Sequence, residues 1–313
     1  MALPYLHDLG DGIHAIDTGF HRDHFDAAYL MVHNGHALFV DTGTNFSVPR
    51  LLAALDDLGL PRAAVDHVIP THVHLDHAGG VGLLMQQLPR ATVLAHPRGT
   101  RHMVDPAALY QGALAVYGQA EMDRHYGQLQ PVPAERVMAT GDGQVLDWHG
   151  RRLEFIDTPG HARHHHCLWD EASRGWFTGD TFGLSYREFD TPRGAWIMPT
   201  STPVQFEPEA MKRSIDRLMA RQPQAMYLTH YSRVTDLPRL AGLLHTQIDA
   251  MVALATPLRQ APARHAALLA GLGALYGEQL QRHGVADVAA GLQGLALDIE
   301  LNAQGLGIWL DRS

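Results

Sequence analysis

Apolar and polar positions along the first third of the chain predict strands joined by tight turns. Residues 29–43 (YLMVHNGHALFVDTG) hold two apolar-rich runs separated by Asn34-Gly35. Both of those residues tolerate positive φ, so the pair predicts a two-residue hairpin. Asp41-Thr42-Gly43 closes the second run with turn chemistry. The period then lengthens. Leu51, Leu52, Leu55 and Leu58 recur at helical spacing, and Gly59 supplies a stop. Residues 64–70 (AVDHVIP) read as a short strand, 79–90 as a helix and 91–97 as another strand. The stretch from about 98 to 135 is helix-prone, closes on Pro131 and Pro133, and reads as an insertion over the core. Strands resume at 152–160, 165–170 and 175–180. Residues 207–222 follow as an amphipathic helix with Met211, Ile215, Leu218 and Met219 on its stripe, and 225–230 as a strand. After about residue 235 the chain turns to Ala- and Leu-rich helices. Leu240, Leu244, Ile248 and Met251 share one face there, and Leu268, Leu272 and Leu275 repeat the pattern.

Composition narrows the classes. The net charge is −9, and no block of Lys or Arg offers the basic stripe that nucleic acid needs, so a nucleic-acid partner is not expected. No apolar run approaches the roughly 18–20 residues of a membrane span, and no signal peptide is visible, so no membrane partner is expected either. Cys167 is the single cysteine, which precludes an intrachain disulfide and makes a cytoplasmic location the expectation. It lies in an apolar run (HCLW) and reads as a buried, inert thiol rather than a nucleophile.

The chemistry concentrates at residues 71–80, THVHLDHAGG. Histidine offers a neutral imidazole nitrogen and aspartate a carboxylate oxygen, the usual ligands of zinc, iron or manganese. On an extended segment residues i and i+2 point the same way, so His72 and His74 can grip one ion together. Asp76 and His77 fall where the chain turns toward Gly79-Gly80, and aim elsewhere. One loop thus offers two ligand pairs, suited to two neighbouring ions. The chain has 22 histidines, so abundance alone carries no weight. Position does: His161, Asp180 and His230 are each the first good ligand after an apolar strand, where loops can converge on a common rim.

The ordered series His72-x-His74-x-Asp76-His77, His161, Asp180, His230 resembles the metallo-β-lactamase superfamily, in particular its glyoxalase II-like hydrolase branch, over roughly residues 10–232. The resemblance implies an α/β fold, a four-layer αββα sandwich with the site at one edge between two sheets. It places His72, His74 and His161 on a first metal, Asp76, His77 and His230 on a second, and Asp180 between them. It makes Asp41, in FVDTG, a supporting residue rather than a ligand. On this reading residues 1–234 are the catalytic domain, including the insertion at about 98–135. Residues 235–313 are then a helical cap or an oligomerisation region that would pair copies of the chain. The resemblance does not extend to glutathione specificity: after Asp180 the chain reads TFGLSYREFDTPRG, without the glycine- and arginine-containing stretch of those relatives. His164, His165 and His166 replace the usual small residues after TPGH, and are expected in structural or surface roles.

Two divalent metal ions are therefore the expected cofactors, zinc first, with iron or manganese as alternatives. A pair of cations lowers the pKa of a bridging water from near 16 toward about 7, giving hydroxide at neutral pH. That suits a small-molecule ester, thioester or lactone, whose leaving group needs little protonation. Asp76 would orient the nucleophile or shuttle its proton besides ligating. Tyr186, Arg187, Arg163 and Tyr231 adjoin ligand-bearing loops and are candidate substrate contacts. The rival from another class is a non-haem iron protein that binds oxygen or does redox chemistry with the same seven ligands. A nuclease fits the ligands but not the charge, and a non-catalytic metal scaffold fits poorly with a complete ligand set.

Overall fold

A computed structural model describes residues 3–201 and 205–312. Its contacts divide the chain into two compact units: residues 1–157, 164–179 and 225–233, and residues 158–163, 180–224 and 234–313. The second unit begins inside the 1–234 segment, upstream of the compositional change near residue 235.

In the first unit, seven strands form one sheet in chain order: β1 (Leu6–Asp8), β2 (Ile13–Asp17), β3 (Ala27–His33), β4 (His36–Val40), β5 (Val65–Ile69), β6 (Thr92–Ala95) and β7 (Val137–Ala139). Strands β1 to β4 are antiparallel, and β4 to β7 are parallel. The expected hairpin is present: His33 pairs with His36 across Asn34 and Gly35, both at positive φ. Parallel neighbours need crossovers. These are α1 (Val48–Asp57), then α2 (Leu75–Ala78) with α3 (Val81–Gln87), and the 98–135 segment with α4 (Thr100–Val104), α5 (Ala107–Tyr117) and α6 (Gln119–Glu121). That segment buries Met103, Met122, Tyr126 and Val132, whereas α5 buries no residue.

Side-chain alternation sorts the sheet's two faces. Ala28, Leu30, Ala37 and Phe39 share a cluster with Val48, Leu51 and Leu55 of α1 and Val81 and Leu84 of α3. Tyr29 points the other way, edge-on to Phe177 at 5.1 Å, and its hydroxyl donates to the Leu228 carbonyl. Phe177 and Leu228 belong to the second sheet, ordered β13-β12-β11-β10-β9-β8. Its strands are β8 (Val145–Trp148), β9 (Arg151–Asp157), β10 (His166–Asp170), β11 (Gly175–Gly179), β12 (Ala225–Leu228) and β13 (Ser232–Val234). Cys167 is fully buried in β10, as expected.

The second unit is helical: α7 (Pro208–Met219), α8 (Leu237–Ala255), α9 (Arg264–His283), α10 (Val288–Gly294) and α11 (Ala296–Arg312). Leu240, Leu244, Ile248 and Met251 are 0 % exposed, as their spacing predicts. On α9 the stripe runs through Leu268, Leu272, Tyr276 and Leu280, and Leu275 is only partly covered. The i+4 step from Leu272 lands on Tyr276, so the aromatic ring takes the core position that the leucine pattern assigned to its neighbour. No helix among the described residues is long and apolar enough to cross a membrane.

Candidate metal centre

Asp41 organises the ligand loop of the first unit. It follows β4 at positive φ, and its amide donates to the Ile69 carbonyl at the end of β5. The carboxylate is 1 % exposed and gathers four donors. They are the Thr71 amide (2.7 Å), the Thr71 hydroxyl (3.0 Å), the Thr229 hydroxyl (2.8 Å) and His77 Nδ1 (2.9 Å). This is the supporting role expected of Asp41. A ring nitrogen that meets a carboxylate carries the proton, so His77 presents Nε2 as its lone-pair side.

His230 is set in the same way. Its Nδ1 donates to the Phe25 carbonyl at 2.9 Å, and its Nε2 lies 3.4 Å from Asp76 Oδ2. His77 Nε2 lies 3.7 Å from that same oxygen. Asp76, His77 and His230 thus bring one ligand atom each within 4.8 Å of one another. Two imidazoles each anchored through Nδ1 and one carboxylate are a donor set that fits a divalent cation.

The other pair in the loop, His72 and His74, face each other. His72 Nδ1 meets the Thr71 hydroxyl at 3.2 Å, and its Nε2 meets His74 Nδ1 at 2.8 Å. Two ring nitrogens facing each other at that distance can share one proton or one cation. The His165 ring stacks on His72 at 4.8 Å, and His164 stands edge-on to His74 at 5.5 Å. Gly179 makes room for this layer: at φ +46°, a Cβ there would lie 2.5 Å from His165 Nε2 and 2.6 Å from Thr71 Oγ1. His166 turns away from the ligands, with Nδ1 on Thr140 and Nε2 on the Pro70 carbonyl. Burial holds its pKa down at about 3. All three histidines are buried, so none of them is a surface residue.

In the second unit, His161 Nε2 lies 3.3 Å from Asp180 Oδ2, with both residues buried. His161 Nδ1 faces the Thr200 carbonyl at 3.3 Å, which again leaves Nε2 as the lone-pair side. The Thr158-Pro159-Gly160 turn that sets His161 is clamped by α7. Ser214 donates to the Pro159 carbonyl at 2.7 Å, and a Cβ on Gly160, at φ +135°, would lie 2.3 Å from the Met211 backbone.

The four candidate substrate residues have other engagements. Tyr186 is 1 % exposed and donates to Asp298 Oδ1 at 3.1 Å, so it serves the helical core instead of an open surface. Arg187 holds the Ser185 carbonyl and pairs with Asp190. Arg163 pairs with Glu207 at 2.6 Å on the wall of a cavity of about 200 Å³ that Phe206, Trp309 and Arg312 also line. Tyr231 is buried against His24, ring centroids 4.9 Å apart. Sequence reasoning missed Thr71, Thr229 and Asp26. The two threonines had a visible signal, since each precedes a candidate ligand histidine at the end of a strand (Thr71-His72, Thr229-His230). Asp26 is fully buried; burial pushes its carboxyl up to about 8, even with His230 and His77 nearby pulling it down.

A sequence model described as the metallo-beta-lactamase superfamily matches residues 22–230. The chain is 31% identical over 154 residues to the hydroxyacylglutathione hydrolase of Aeromonas hydrophila, a stretch covering 49% of this chain and 45% of that protein. It is 29% identical over 189 residues to the acyl-coenzyme A thioesterase MBLAC2 of Gallus gallus, covering 55% and 63%. The chain therefore spans less than two thirds of these relatives. Among solved structures, the archaeal metallo-beta-lactamase superfamily protein ST1585 from Sulfolobus tokodaii aligns with a TM-score of 0.67 at 23% identity, over 94% of this chain and 98% of that one. That likeness shows the fold, the αββα sandwich with a helical C-terminal region.

Proposed function

This chain belongs to the metallo-β-lactamase superfamily, and from that premise we propose that it is a dinuclear metal-dependent hydrolase of an ester-, thioester- or lactone-like small molecule. The relatives named as a hydrolase and a thioesterase support hydrolysis, and a thioester first within that class. The observation that carries the reading is the tethering of His77 and His230 through Nδ1, which turns both Nε2 atoms toward one oxygen of Asp76. In the proposed centre His72, His74 and His161 would hold one ion and Asp76, His77 and His230 the other, with Asp180 as the carboxylate available to both. The nitrogen-rich donor set suits Zn²⁺, and iron or manganese is compatible with it.

When bound, paired divalent cations supply Lewis acidity that polarises a carbonyl and brings the pKa of water from 15.7 to about 7. The chain's own residues do the rest. The Asp76 side chain is 24% exposed against 7% for Asp180, so Asp76 is the carboxylate suited to orient an attacking water and take its proton. Asp41 keeps the His77 proton on Nδ1 throughout. Arg312 and Trp309, beside the Arg163–Glu207 pair, would offer cationic and aromatic surface to an acidic, partly apolar substrate.

The test is a panel of esters, thioesters, lactones and phosphodiesters presented to zinc-, iron- and manganese-loaded protein, with metal content measured alongside. His72→Ala and Asp180→Ala should lose bound metal and turnover together. Asp76→Asn should lower kcat by about 10²–10⁴-fold, the usual size of a general-base contribution. A metal-depleted variant with full turnover would overturn the proposal, and so would a redox-active iron centre with no hydrolysis of any panel member.

A further inference from the structure

A second group of ligand-type side chains lies at the other end of the strands that lead into the candidate centre. His36 opens β4, four residues before Val40, and Asp66 is the second residue of β5. At about 3.3 Å of rise per residue, His36 lies roughly 13 Å from the end of β4 that leads into Asp41. His149 sits in the turn between β8 and β9, at φ +54°. That turn is held against the β3–β4 hairpin by Asn34 Nδ2, which donates to the His149 carbonyl at 3.2 Å.

The three side chains meet on one atom. His36 Nδ1 lies 3.0 Å and His149 Nε2 2.9 Å from Asp66 Oδ2. The two imidazoles stack, 3.4 Å apart and 18° from parallel. Trp148 Nε1 donates to the same oxygen at 3.0 Å. Three nitrogens therefore converge on an oxygen with two in-plane lone pairs. The contest leaves a loser: His36 Nδ1 is buried and makes no hydrogen bond, despite its distance from the carboxylate.

From this geometry we infer that His36, Asp66 and His149 form an accessory divalent-cation site of zinc type, separate from the hydrolytic centre. His36 Nδ1, His149 Nε2 and an Asp66 oxygen lie within 4.8 Å of one another, so they can close on one ion. With the two rings turned out of their stack and His149 Nε2 giving up to water the proton it shares with Asp66, the cation takes the two ring lone pairs, which removes the competition for Oδ2. Trp148 Nε1–H keeps its bond to Asp66 and fixes the carboxylate, as outer partners of metal ligands do. The side chains of His36 and His149 are 34% and 40% exposed, so water can complete a tetrahedral shell. The ion would staple the β8–β9 turn of the second sheet to β4 and β5 of the first.

The experiment compares full-length protein with His36→Gln/His149→Gln after dialysis against the same buffered free Zn²⁺. Bound metal is counted per chain, and the zinc-dependent rise in Tm is measured for each. The expected result is one equivalent less zinc in the double variant, a smaller zinc-dependent rise in Tm, and unchanged hydrolysis. His149→Gln alone, in an exposed turn, gives the same readout if the double variant folds poorly. Equal zinc content and equal Tm increments in variant and parent would overturn the inference. Because the readout is a difference between two proteins with the same His72–His230 ligands, it stands or falls independently of the dinuclear reading, which His72→Ala and Asp180→Ala test.

Discussion

One carboxylate sets much of the ligand loop. Asp41 accepts from the Thr71 amide, two hydroxyls and His77, and each bond needs a lone pair. Asp41→Asn keeps the shape but replaces one acceptor oxygen with an NH₂ group, which then faces a donor. The Thr229 bond or the His77 tautomer must give way. Removing such an outer partner typically costs 10–100-fold in metal affinity. The expected outcome is a loss of about that size in chelator competition, with the fold retained, and an unaltered affinity would show that Asp41 is only a turn residue. The candidate ligands stood out because His161, Asp180 and His230 each follow an apolar strand and because His72 and His74 keep the two-residue period. That Thr71 and Thr229 both donate to Asp41 was not legible, although each precedes a candidate histidine, since Thr229 lies 188 residues away along the chain. Tyr186 misled for the opposite reason. Closeness in sequence to Asp180 says nothing about direction, and its hydroxyl points to Asp298 in the helical core.

Between elements, His166 is one of the ties between the two sheets. His166 opens β10; its amide donates to the Thr71 carbonyl, its Nε2–H to the Pro70 carbonyl just past β5, and its Nδ1 accepts from Thr140 just past β7. The ring is neutral in that frame, and burial lowers its pKa from 6.5 to about 3. In the unfolded chain it binds a proton below about 6.5, and in the folded chain only below about 3. Its contribution is therefore complete above pH 6.5 and is lost as pH falls toward 3, at up to about 1.4 kcal/mol per pH unit. Urea midpoints of the parent and of His166→Gln, taken from pH 7 to pH 4.5, should show the steeper decline in the parent. Parallel slopes would mean that His166 is not the buried neutral group described. At this scale the hairpin, the crossover helices and the long C-terminal helices were legible because their periods repeat several times. β1, β7 and β13 have only three residues each, too few for an alternation to register. Leu275 and Tyr276 show the remaining ambiguity: a stripe fixes the face of α9, and packing chooses which of two adjacent apolar residues fills it.

For the whole molecule, the sequence reading placed a boundary at residue 234, where composition turns helical. Contacts instead pass the chain between the two units after residues 157, 163, 179, 224 and 233. Composition records which element a segment forms, and not which core it joins. Residues 180–201 join the core of the C-terminal helices. Trp196 stands edge-on to Tyr276 at 6.2 Å, Gln247 donates to the Ile197 carbonyl at 2.6 Å, and the Asn302 side chain accepts from the Ser201 amide at 2.6 Å and donates to the Pro199 carbonyl. A fragment ending at residue 234 would lose Leu240, Leu244, Ile248, Met251, Leu268 and Leu272, all 0 % exposed in the full chain. Burial of each is worth about 1.5–3 kcal/mol, and the sum rivals the roughly 5–15 kcal/mol that holds a typical domain together. Such a fragment still contains all seven proposed ligands in its sequence. It would nevertheless leave His161 and Asp180 in segments without their core. Residues 1–234 expressed alone should therefore melt less cooperatively than the full chain, with the second unit's share of the transition lost, and should hold less bound metal. A sharp melt with full metal content would establish residue 234 as a true domain boundary and the helices beyond it as a dispensable cap.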